Sequence, residues 1–455
     1  MNPLLNPILL SKLAWNYFSI MGRIWKLNKD EMKRYQEKMF LKVLRYAYHK
    51  TIFYRKKYDA AGVDIEKIRG LEDSKNLPLV SKEELASKSL EEILPRKYRD
   101  KMGYKVSTSG SSGKPIILFF PLYESTINSI YGLRILKAYG LNWRKARVSN
   151  IGDFSIPGSS DEEIYRDLAE KAMSMKLLGE HQMLSVNESG EILIKRLSEF
   201  KPDVIIGYTS VLVNLAFLRK EGLGEDIRPK YIISSGEILD KYSRKLIEDA
   251  FDAEVKNLYA STEGAITAFE CLEGKMHVNA DLIYLETVDE EGNVVEEGKI
   301  GNAVITKLLP AGIPIIRYSG LADMVSLSDE DCECGINTPI IKSLEGRKRE
   351  SIVLPDRRVI PPASAPLPLI ESLEKFNVTN LERFQFYQER MDRVEIRLKF
   401  RGETREKEKL LKDIEEGYRK LFGKGIRVEV KEVGKIENPS GSPLPPTVIS
   451  RVRLE

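Results

Sequence analysis

The segment from Val106 to Pro115 has the composition of a phosphate-binding loop. It reads Val-Ser-Thr-Ser-Gly-Ser-Ser-Gly-Lys-Pro and is followed by an apolar run, Ile116–Phe120. Glycine adopts backbone conformations that are closed to other residues, so neighbouring amides can turn inward together around an anion. Hydroxyl groups, two glycines and one ammonium group make up the loop: Ser107, Thr108, Ser109, Gly110, Ser111, Ser112, Gly113 and Lys114. A polyphosphate is the natural ligand of such a loop.

This loop is not a Walker A motif. The spacing Gly-x-x-x-x-Gly-Lys-Ser/Thr is absent, and Pro115 stands where the magnesium-binding hydroxyl group would be. A flexible surface loop rich in serine and glycine has the same composition, and short motifs recur by chance. The loop alone therefore leaves both interpretations open.

Four further polar motifs follow along the chain. Two of them, Ser234–Glu237 and Tyr259–Gly264, stand at the ends of predicted strands. Ligands of open α/β sheets bind at the carboxyl ends of strands, so binding residues are expected at both positions. The other two motifs are Arg317–Asp323, which reads Arg-Tyr-Ser-Gly-Leu-Ala-Asp, and the pair Gly346-Arg347.

In this order and spacing the five motifs resemble those of the adenylate-forming superfamily of acyl-CoA synthetases. Within it, they are similar to the branch that contains phenylacetate–CoA ligases and CapK-like proteins of capsular polysaccharide. The resemblance extends over nearly the whole chain and includes Tyr46–Val63, Pro202-Asp203 and Gly207-Tyr208. It implies an enzyme that uses ATP, Mg²⁺ and coenzyme A and that takes a small carboxylic acid as its substrate.

The resemblance also implies a role for each motif. The loop Ser107–Lys114 would hold the β- and γ-phosphates of ATP, Thr262 would contact the α-phosphate, and Glu263 would hold the magnesium ion. The remaining nucleotide contacts would come from residues that flank the adenine or bind the ribose: Ser235, Gly236, Glu237, Tyr259, Ala260, Ser261, Asp323 and Arg347.

Ordinary interpretations compete with two of these roles. A carboxylate has paired acceptor oxygens and would suit both ribose hydroxyl groups, yet Asp323 also has the character of a solvated turn residue. Tyr259 would stack on the adenine, or it is an ordinary packed aromatic side chain. Arg347 would reach the ribose near a hinge, for which Glu350 is a candidate.

The reaction implied by the resemblance has two steps. The carboxylate of the acid attacks the α-phosphorus of ATP and pyrophosphate leaves; the thiol of coenzyme A then attacks the acyl adenylate and AMP leaves. Lys114 and magnesium would stabilise the charge on the phosphate oxygens. In the superfamily a lysine of the C-terminal domain serves adenylation, and Ser442 stands at the matching position here. Either Lys435, several residues earlier, replaces that lysine, or adenylation is weakened or lost.

Cysteine and histidine residues in the middle of the chain have the spacing of a metal site. All three cysteines, Cys271, Cys332 and Cys334, lie in one region with His277, in the pattern Cys-x5-His followed by Cys-x-Cys. Three thiolates and an imidazole form a tetrahedral set that structural zinc prefers, and four protein ligands leave no open position for catalysis. The branch that the chain resembles has similar positions. The alternative is three reduced, partly buried thiols.

An ATP-dependent carboxylate–CoA ligase is the first functional hypothesis. The alternatives are an adenylyltransferase of the coenzyme F390 synthetase type, a CapK-like role in polysaccharide assembly, and a nucleotide-binding relative with impaired catalysis. The acid itself cannot be identified, although an aromatic-lined pocket would suit an aryl or medium-sized acid. Pocket candidates follow from position alone: Phe154, Tyr208, Ser210 and Ser234.

Short apolar runs that alternate with helix-period segments must position these motifs. Strand, helix, strand in that order indicates an α/β fold with mainly parallel, doubly wound sheets, and after Glu263 the chain becomes strand-rich. The predicted strands and helices of the first part are short and well bounded: strands at Arg147–Ile151, Asp203–Gly207, Tyr231–Ser235 and Val255–Tyr259, and helices at Ser210–Arg219 and Lys241–Phe251.

Four regions are expected along the chain. A helical N-terminal segment, 1–105, would pack on the body, and a nucleotide-binding core, 106–347, would contain the strand-rich, zinc-stapled part 264–345. Five prolines between Leu354 and Pro368 exclude a continuous helix and indicate a linker at 348–369. Residues 370–455 would form a small α+β lid.

Residues Ile8–Leu27 predict an amphipathic helix. Its polar residues Lys12, Asn16, Ser19 and Arg23 recur at helical spacing and form a narrow stripe that is expected to face water. The apolar face is expected to pack on its own protein in preference to a membrane. A homodimer through this helix is a further expectation.

The composition excludes several classes of protein. The chain has 455 residues, of which 42% are hydrophobic, so a globular core is expected and general disorder is excluded. The net charge of +4 is too small to imply a nucleic acid partner. No stretch approaches the ~20 apolar residues that span a bilayer. Three cysteines, an odd number, argue against a disulfide framework and for a reducing compartment, so a cytoplasmic protein is expected.

Overall fold

The computed structural model describes residues 7–99, 103–107, 116–153, 178–423, 425–438 and 445–452. Most of the predicted phosphate loop (108–114), the pocket candidate Phe154 and Ser442 lie outside these ranges. The chain folds as two compact units. Unit 1 comprises Met1–Ser185, Lys256–Leu321 and Val325–Ser343, and unit 2 comprises Val186–Val255, Ala322–Met324 and Leu344–Glu455.

The described chain begins with helices, continues with strands and helices in turn, and then becomes strand-rich. The α-helices are α1 (Pro7–Lys26), α2 (Lys29–Lys50), α3 (Ile52–Ala60), α4 (Lys82–Ala86), α5 (Leu90–Ile93), α6 (Leu122–Ala138), α7 (Gly190–Phe200), α8 (Thr209–Lys220), α9 (Lys241–Phe251), α10 (Leu367–Lys375) and α11 (Lys407–Phe422). The strands are β1 (Gly103–Ser107), β2 (Ile117–Pro121), β3 (Val148–Gly152), β4 (His181–Ser185), β5 (Val204–Gly207), β6 (Tyr231–Ser235), β7 (Glu254–Ser261), β8 (Ala265–Glu270), β9 (Met276–Val278), β10 (Ile283–Val288), β11 (Gly301–Lys307), β12 (Asp323–Ser328), β13 (Ile340–Arg347), β14 (Ile352–Val353), β15 (Val359–Ile360), β16 (Leu381–Arg390), β17 (Arg393–Phe400), β18 (Arg427–Glu432) and β19 (Val448–Ser450).

Capping residues determine where several helices begin and end. Asn28 forms a capping box at the start of α2, and the side chains of Ser189 and Asp240 accept backbone hydrogen bonds at the starts of α7 and α9. Lys201 and Asp252 adopt the left-handed conformation directly after these two helices. Local sequence thus accounts for the bounds of α7 and α9.

Unit 1 contains both parallel and antiparallel strand pairs. Strands β1 and β2 pair antiparallel on either side of the predicted phosphate loop, and β3 pairs parallel with β4. The pairs β7–β8, β8–β9, β9–β13 and β10–β11 are all antiparallel. The part predicted as strand-rich, 264–345, is therefore an antiparallel region.

The N-terminal helix is confirmed, but of its polar stripe only Lys12 is exposed as predicted. Asn16 donates a 3.1 Å hydrogen bond to a tyrosine hydroxyl group of α6, and Arg23 forms a 3.0 Å ion pair with the buried carboxylate of Asp281. Trp15 and Phe18 are exposed instead. A buried carboxylate requires cationic partners, and this requirement turns the arginine side of α1 toward the protein.

Unit 2 contains the predicted strand–helix–strand pattern. Strands β5 and β6 pair parallel, with Gly207 opposite Ser234. Helices α8 and α9 lie within one residue of the predicted Ser210–Arg219 and at the predicted Lys241–Phe251. The buried apolar residues of α9 recur at helical spacing, as the prediction assumed, whereas α8 is buried on nearly every side.

The C-terminal part of unit 2 is a small α+β domain with its own core. Its sheet has the strand order β18-β17-β16-β19, with β16 antiparallel to β17 and with β18 and β19 each parallel to a neighbour. The buried side of α11 carries residues at helical spacing: Leu410, Ile414, Tyr418 and Phe422. The proline-rich segment forms the β14–β15 hairpin, and α10 begins only at Leu367, with Pro368 in its first turn.

The predicted fold class, an α/β body with a strand-rich part and a small α+β domain, is confirmed. The predicted domain boundaries remain predictions. Within the ranges given above, no helix has both the length and the apolar character needed to cross a membrane.

Candidate functional site

Glu263 lies in the turn between β7 and β8, and Tyr318 holds its carboxylate. The Tyr318 hydroxyl group donates a 2.7 Å hydrogen bond to Glu263 Oε1, and both side chains are buried. Burial and the neighbouring carboxylate raise the pKa of Tyr318 well above its usual value, so the hydroxyl group remains a donor. A carboxylate has several acceptor positions, so this bond is compatible with a cation on Glu263.

Contacts on both sides keep Tyr318 in place. Its backbone exchanges hydrogen bonds with β11, and the carbonyl oxygen of Arg317 accepts a 2.9 Å bond from the Val80 N–H group. The buried guanidinium group of Arg317 donates to the Leu77 carbonyl oxygen (2.7 Å) and lies 3.4 Å from Glu286. The Arg-Tyr pair of the Arg317–Asp323 motif therefore anchors the N-terminal segment to the strand that supports Glu263.

The turn that carries Glu263 is tightly packed. The Gly264 N–H group donates to Ser261 Oγ (2.9 Å), and a Cβ atom at Gly264 would lie only 2.8 Å from a methyl group of Ile305. Ala265 has a φ of 54°, which is the left-handed region. Tyr259 is buried. Three residues of the peptide are half-buried: Ala260, Ser261 and Thr262.

In unit 2, the peptide after β6 has a glycine that its surroundings require. Gly236 has a φ of 79°, and a Cβ atom there would lie 2.6 Å from the ring of Tyr208. Next to it, Glu237 Oε2 accepts a 2.7 Å hydrogen bond from the Ser210 N–H group. Burial raises the pKa of Glu237, and the Ser210 amide and Arg383 oppose that rise.

Three of the four predicted pocket residues lie together beside this peptide. Tyr208 packs on Gly236, Ser210 holds Glu237, and the Ser234 hydroxyl group lies 2.7 Å from that of Thr209. Ser234 is fully buried. The fourth pocket residue, Phe154, lies outside the described residues.

Asp323 and Arg347 also lie close together in unit 2. They are the first residue of β12 and the last residue of β13, and the N–H group of Lys348 donates to the Ala322 carbonyl oxygen (2.9 Å). Arg347 Nη1 lies 3.3 Å from Glu350 Oε1 in a half-exposed ion pair. The predicted ribose-binding residues and the hinge candidate are therefore neighbours.

The remaining predicted catalytic positions are only partly described. Ser107 is the last residue of β1, where it pairs with Ile117, whereas Thr108–Lys114 lie outside the described residues. Lys435 is exposed in the small C-terminal domain. Ser442 is not among the described residues, so the two positions cannot be compared in space.

Cys271, His277, Cys332 and Cys334 form a cluster in unit 1. Their ligand atoms all lie within 4.8 Å of one another, with Cys271 Sγ 3.7 Å from Cys332 Sγ and Cys334 Sγ 3.3 Å from His277 Nε2. Zinc–sulfur bonds of about 2.3 Å at tetrahedral angles place two sulfur atoms about 3.8 Å apart. The spacing of the cluster thus fits a tetrahedral metal site.

Local structure orients each member of this cluster. Cys271 follows β8 and its N–H group bonds across a turn to Lys275, while His277 on β9 lies opposite Ile340 of β13. Thr338 Oγ1 lies 3.4 Å from His277 Nδ1, which leaves Nε2 directed at the sulfur atoms. A hydrogen-bonding partner at the second ring nitrogen is usual for a metal-bound histidine.

Burial without a metal disfavours the charged forms of these groups. It raises the pKa of the Cys271 thiol, raises the pKa of Cys334 to about 12, and lowers the pKa of His277 to about 4. The thiols of Cys271 and Cys334 are therefore protonated and the imidazole is neutral near neutral pH. A divalent cation would favour the thiolates, because a coordinated thiol loses its proton.

Sequence analysis identified all four members of the cysteine–histidine cluster. It assigned no role to the residues that support this cluster, Glu263 and Glu237. Three supporting residues have partners that are distant in the chain. Tyr318 contacts Glu263, Thr338 contacts His277, and Arg383 interacts electrostatically with Glu237. The only sequence signal was the inclusion of Tyr318 in the Arg317–Asp323 motif.

The comparisons with known proteins agree with these motifs. No protein-family profile matches the chain. A phenylacetate–coenzyme A ligase of Thermus thermophilus is 26% identical over 350 residues, 74% of each chain. Protein CapK of Staphylococcus aureus is 23% identical over 367 residues, 80% of this chain and 78% of that protein.

Among solved structures, a 2-hydroxyisobutyryl-CoA ligase in the postadenylation state superposes with a TM-score of 0.75. The identity is 19%, and the match covers 93% of this chain and 88% of the ligase. The chain thus has the fold of adenylate-forming CoA ligases. Its resemblance to this superfamily, and within it to the phenylacetate–CoA ligase and CapK branch, is confirmed.

Proposed function

We propose that this protein is an ATP-dependent carboxylate–CoA ligase that forms an acyl adenylate and then an acyl thioester. The observation that carries this proposal is the sequence similarity to phenylacetate–CoA ligases over about three quarters of both chains. The fold supports it, because it is shared with a ligase whose structure holds an acyl adenylate. The geometry around Glu263 is compatible with a magnesium site.

In this proposal, the carboxylate of the acid attacks the α-phosphorus of ATP, and the bond to pyrophosphate breaks. Glu263 holds the metal ion, Tyr318 positions Glu263, and Thr262 contacts the α-phosphate. The magnesium ion would supply charge compensation for the phosphate oxygens. Coenzyme A then attacks the acyl carbon through its sulfur atom, loses its thiol proton, and AMP leaves.

The nucleotide-binding residues remain proposals from the resemblance. Asp323 and Arg347 are assigned to the ribose, which their proximity supports. Ser235, Gly236 and Glu237 are assigned to the adenine, with Tyr259 stacked on it. The loop Ser107–Lys114 is assigned to the β- and γ-phosphates.

The acid is assigned to the cluster of Tyr208, Ser210 and Ser234, with Phe154 as a fourth member. The positions of Tyr208 and Ser210 beside Gly236 and Glu237 support a shared pocket for the described members. An aromatic side chain in this cluster suits an aryl or medium-sized acid. We also assign the protein to the cytoplasm, because its three free cysteines suit a reducing compartment.

The replacement of the superfamily's C-terminal lysine by Ser442 lowers the predicted rate of adenylation. Loss of a catalytic cation removes several kcal/mol of transition-state stabilisation. Lys435 is exposed; in this proposal it replaces the lid lysine after a local shift. An adenylyltransferase of the coenzyme F390 synthetase type, a CapK-like role in polysaccharide assembly, and a nucleotide-binding relative without catalysis are the alternatives; similarity to CapK favours the second of these.

A panel of aryl and aliphatic acids, assayed for pyrophosphate release with and without coenzyme A, tests the function. We expect release that depends on one class of acid, together with AMP and a thioester. AMP incorporated into an alcohol acceptor without a thioester would favour the adenylyltransferase. ATP binding without acid-dependent release would favour the non-catalytic relative.

Two variants test the lid in the same assay. Lys435→Ala should slow acid-dependent pyrophosphate release if Lys435 serves adenylation, and Ser442→Lys should accelerate it if the position is equivalent to that of the relatives. Lys412→Ala is a matched control, because Lys412 is another exposed lysine of the same small domain. If Lys435→Ala releases pyrophosphate at the parent rate while Ser442→Lys releases it faster, Lys435 does not replace the superfamily's lysine.

We further propose that the cysteine–histidine cluster binds a structural zinc ion. The tetrahedral spacing and the hydrogen-bonding partner of His277 support this proposal. Four protein ligands leave no open position, so the ion would stabilise the antiparallel region and would not act on the substrate.

A further inference from the structure

Helix α1 exposes two large aromatic side chains. Trp15 is 77% exposed and Phe18 is 74% exposed, more than any other large hydrophobic residue among those described. They stand three residues apart, so they lie on the same side of the helix. Exposed aromatic residues that are neighbours in this way indicate an interaction surface.

The rest of α1 is fixed, so these two residues cannot turn inward. Ile20, Met21 and Ile24 are buried, and Arg23 forms its ion pair with the buried Asp281. Asp281 also binds the fully buried Arg134 on α6, at 3.0 Å. Turning the aromatic side inward would break a buried charge network.

The exposed side of α1 continues into a shallow cleft. The cleft has a volume of about 460 Å³ and is lined by Tyr17, Phe18 and Met21 on α1 and by Leu141 and Trp143 after α6. The rings of Tyr17 and Trp143 lie 5.5 Å apart. We call the surface formed by α1 and residues 141–145 the aromatic surface.

All three tryptophans of the chain belong to this region. Trp15 and Trp25 lie on α1, and Trp143 lies in the cleft. Tryptophan and tyrosine combine an apolar ring with a polar group, which makes them favourable at the boundary between lipid and water. Their concentration here distinguishes this surface from the rest of the protein.

Basic residues surround the aromatic surface. Helix α1 contains no acidic residue, and residues 137–147 contain only basic charged side chains. Burial lowers the pKa of Lys97, and the ammonium groups of Lys50 and Lys12 lower it further. These three positive charges therefore lie near one another. The exposed basic residues next to the cleft or on α1 form a positive rim: Lys12, Lys26, Lys137, Arg144 and Lys145.

Acidic residues near α1 do not cancel this charge. Asp281 and Glu124 are buried and paired with cations. Glu180, which follows a residue bonded to the Trp143 carbonyl oxygen, pairs with Arg147 at 3.0 Å, and Asp331 lies 2.7 Å from Lys29, beyond the end of α1. Glu333 is exposed on the same turn as Asp331. Along α1 itself the charged side chains are all basic.

We propose that the aromatic surface binds a membrane surface that contains anionic phospholipids. Trp15 and Phe18 insert at the level of the headgroups, and the positive rim contacts lipid phosphates, as in interfacial helices. Charge favours this occupant over a second copy of the chain, because a symmetric dimer through this surface would place one positive rim against another.

Tryptophan fluorescence and vesicle sedimentation of the full chain test this proposal. Vesicles made of equal parts phosphatidylcholine and phosphatidylglycerol should sediment the protein and shift its tryptophan emission to shorter wavelength. Pure phosphatidylcholine vesicles should bind it far more weakly, and added salt should weaken binding to the anionic vesicles.

Variants separate the aromatic and the basic contributions. The double variant Trp15→Ser, Phe18→Ser should lose about tenfold or more in vesicle affinity, because two apolar side chains no longer insert. Lys12→Gln and Lys145→Gln should each cost about fivefold. The double variant Val294→Ser, Ile300→Ser is the matched control, since both residues are exposed and apolar but lie elsewhere in unit 1.

Three results would overturn the proposal. The first is equal affinity for neutral and anionic vesicles. The second is a loss of vesicle affinity in the Val294/Ile300 control that equals the loss in the Trp15/Phe18 variant. The third is a concentration-dependent dimer that the Trp15/Phe18 variant abolishes, without vesicle binding, which would identify a second copy as the occupant. Circular dichroism of each variant establishes that a loss of binding is not a loss of fold.

Discussion

The hydroxyl group of Tyr318 donates a 2.7 Å hydrogen bond to Oε1 of Glu263, inside unit 1. The two residues are 55 positions apart in the chain, and β11 aligns them because it pairs with the backbone of Tyr318. One oxygen of the proposed magnesium ligand is therefore oriented by a residue with no contact of its own to the metal. Such supporting residues commonly determine metal affinity.

Tyr318→Phe should raise the magnesium concentration needed for acid-dependent pyrophosphate release. The variant removes the only hydrogen bond that orients Glu263 Oε1 among the described contacts, and partners of this kind change metal affinity by about 10- to 100-fold. A magnesium titration of the initial rate measures the effect.

Tyr139→Phe is the matched control for this change. Tyr139 is also buried in unit 1, and its hydroxyl group donates a 2.8 Å hydrogen bond to the Glu270 carbonyl oxygen. Each variant loses one buried hydrogen bond, worth about 1–3 kcal/mol of stability. If Tyr318→Phe lowers stability as Tyr139→Phe does, but leaves the magnesium dependence unchanged, Tyr318 has only a structural role.

Lys307→Met should destabilise unit 1 by about 3–5 kcal/mol, because it leaves the buried carboxylate of Glu124 without its cationic partner. The double variant Lys307→Met, Glu124→Leu should recover most of the loss. Urea unfolding measures both. A single variant as stable as the parent would show that the pair is not needed.

The loss in Lys307→Met should depend on pH in a defined direction. Burial raises the pKa of Glu124 and Lys307 opposes that rise, so the variant raises this pKa further. A carboxyl group whose pKa is higher in the folded protein binds more protons there, so stability falls as pH rises through the folded pKa. Destabilisation should therefore be small below the ordinary glutamate pKa and large at neutral pH.

Purified protein should contain about one zinc ion per chain, and Cys332→Ser should lose it together with thermal stability. Metal analysis and thermal unfolding, with and without a chelator, measure these effects. Ser326→Ala is a control in the same antiparallel region, because its hydroxyl group lies 3.2 Å from that of Ser343, outside the cluster. Protein without zinc whose three thiols all react freely in the native state would contradict the proposal.

Arg401→Gln should change the relative rates of adenylation and thioester formation more than it changes the free energy of unfolding. Its guanidinium group binds both carboxylate oxygens of Glu221, at 2.7 and 2.9 Å, and so ties the small C-terminal domain to the end of α8 within unit 2. The pair is partly exposed, so it contributes at most about 1 kcal/mol, equivalent to about fivefold in an equilibrium constant.

The ratio of thioester formation to pyrophosphate release measures this balance. The resemblance to adenylate-forming enzymes implies that the small domain rotates between adenylation and thioester formation, so weakening one arrangement should alter the relative rates of these steps. Arg419→Gln is the matched control, because its partner Glu415 lies on the same helix, α11. Equal changes in both steps would contradict the expectation.

Much of the local structure could be predicted from the sequence. The helix Lys241–Phe251 and the strand Tyr231–Ser235 have the predicted bounds, because each has a clear periodicity and Asp240 caps the helix. Helix α6 was not predicted. Glu124 and Arg134 are buried in it beside apolar residues, so it lacks the one-sided pattern by which a helix is recognised.

The order of the motifs identified the chemical groups of the candidate site, including all four members of the cysteine–histidine cluster. This identification needed only residue types and their spacing, which can be read directly from a sequence. Tyr318 and Thr338 could not be assigned roles in this way, because their partners depend on strand pairing between distant segments.

The sequence by itself predicted a helix over Ile8–Leu27 with polar and apolar residues at helical spacing, and the structure has this helix at Pro7–Lys26. Only the tertiary structure decided which side is exposed. Arg23 pairs with Asp281, 258 positions away, and no local pattern contains that partner. A buried carboxylate must keep its cations, so this long-range ion pair turns Arg23 toward the protein and leaves Trp15 and Phe18 outside, while Lys12 remains exposed.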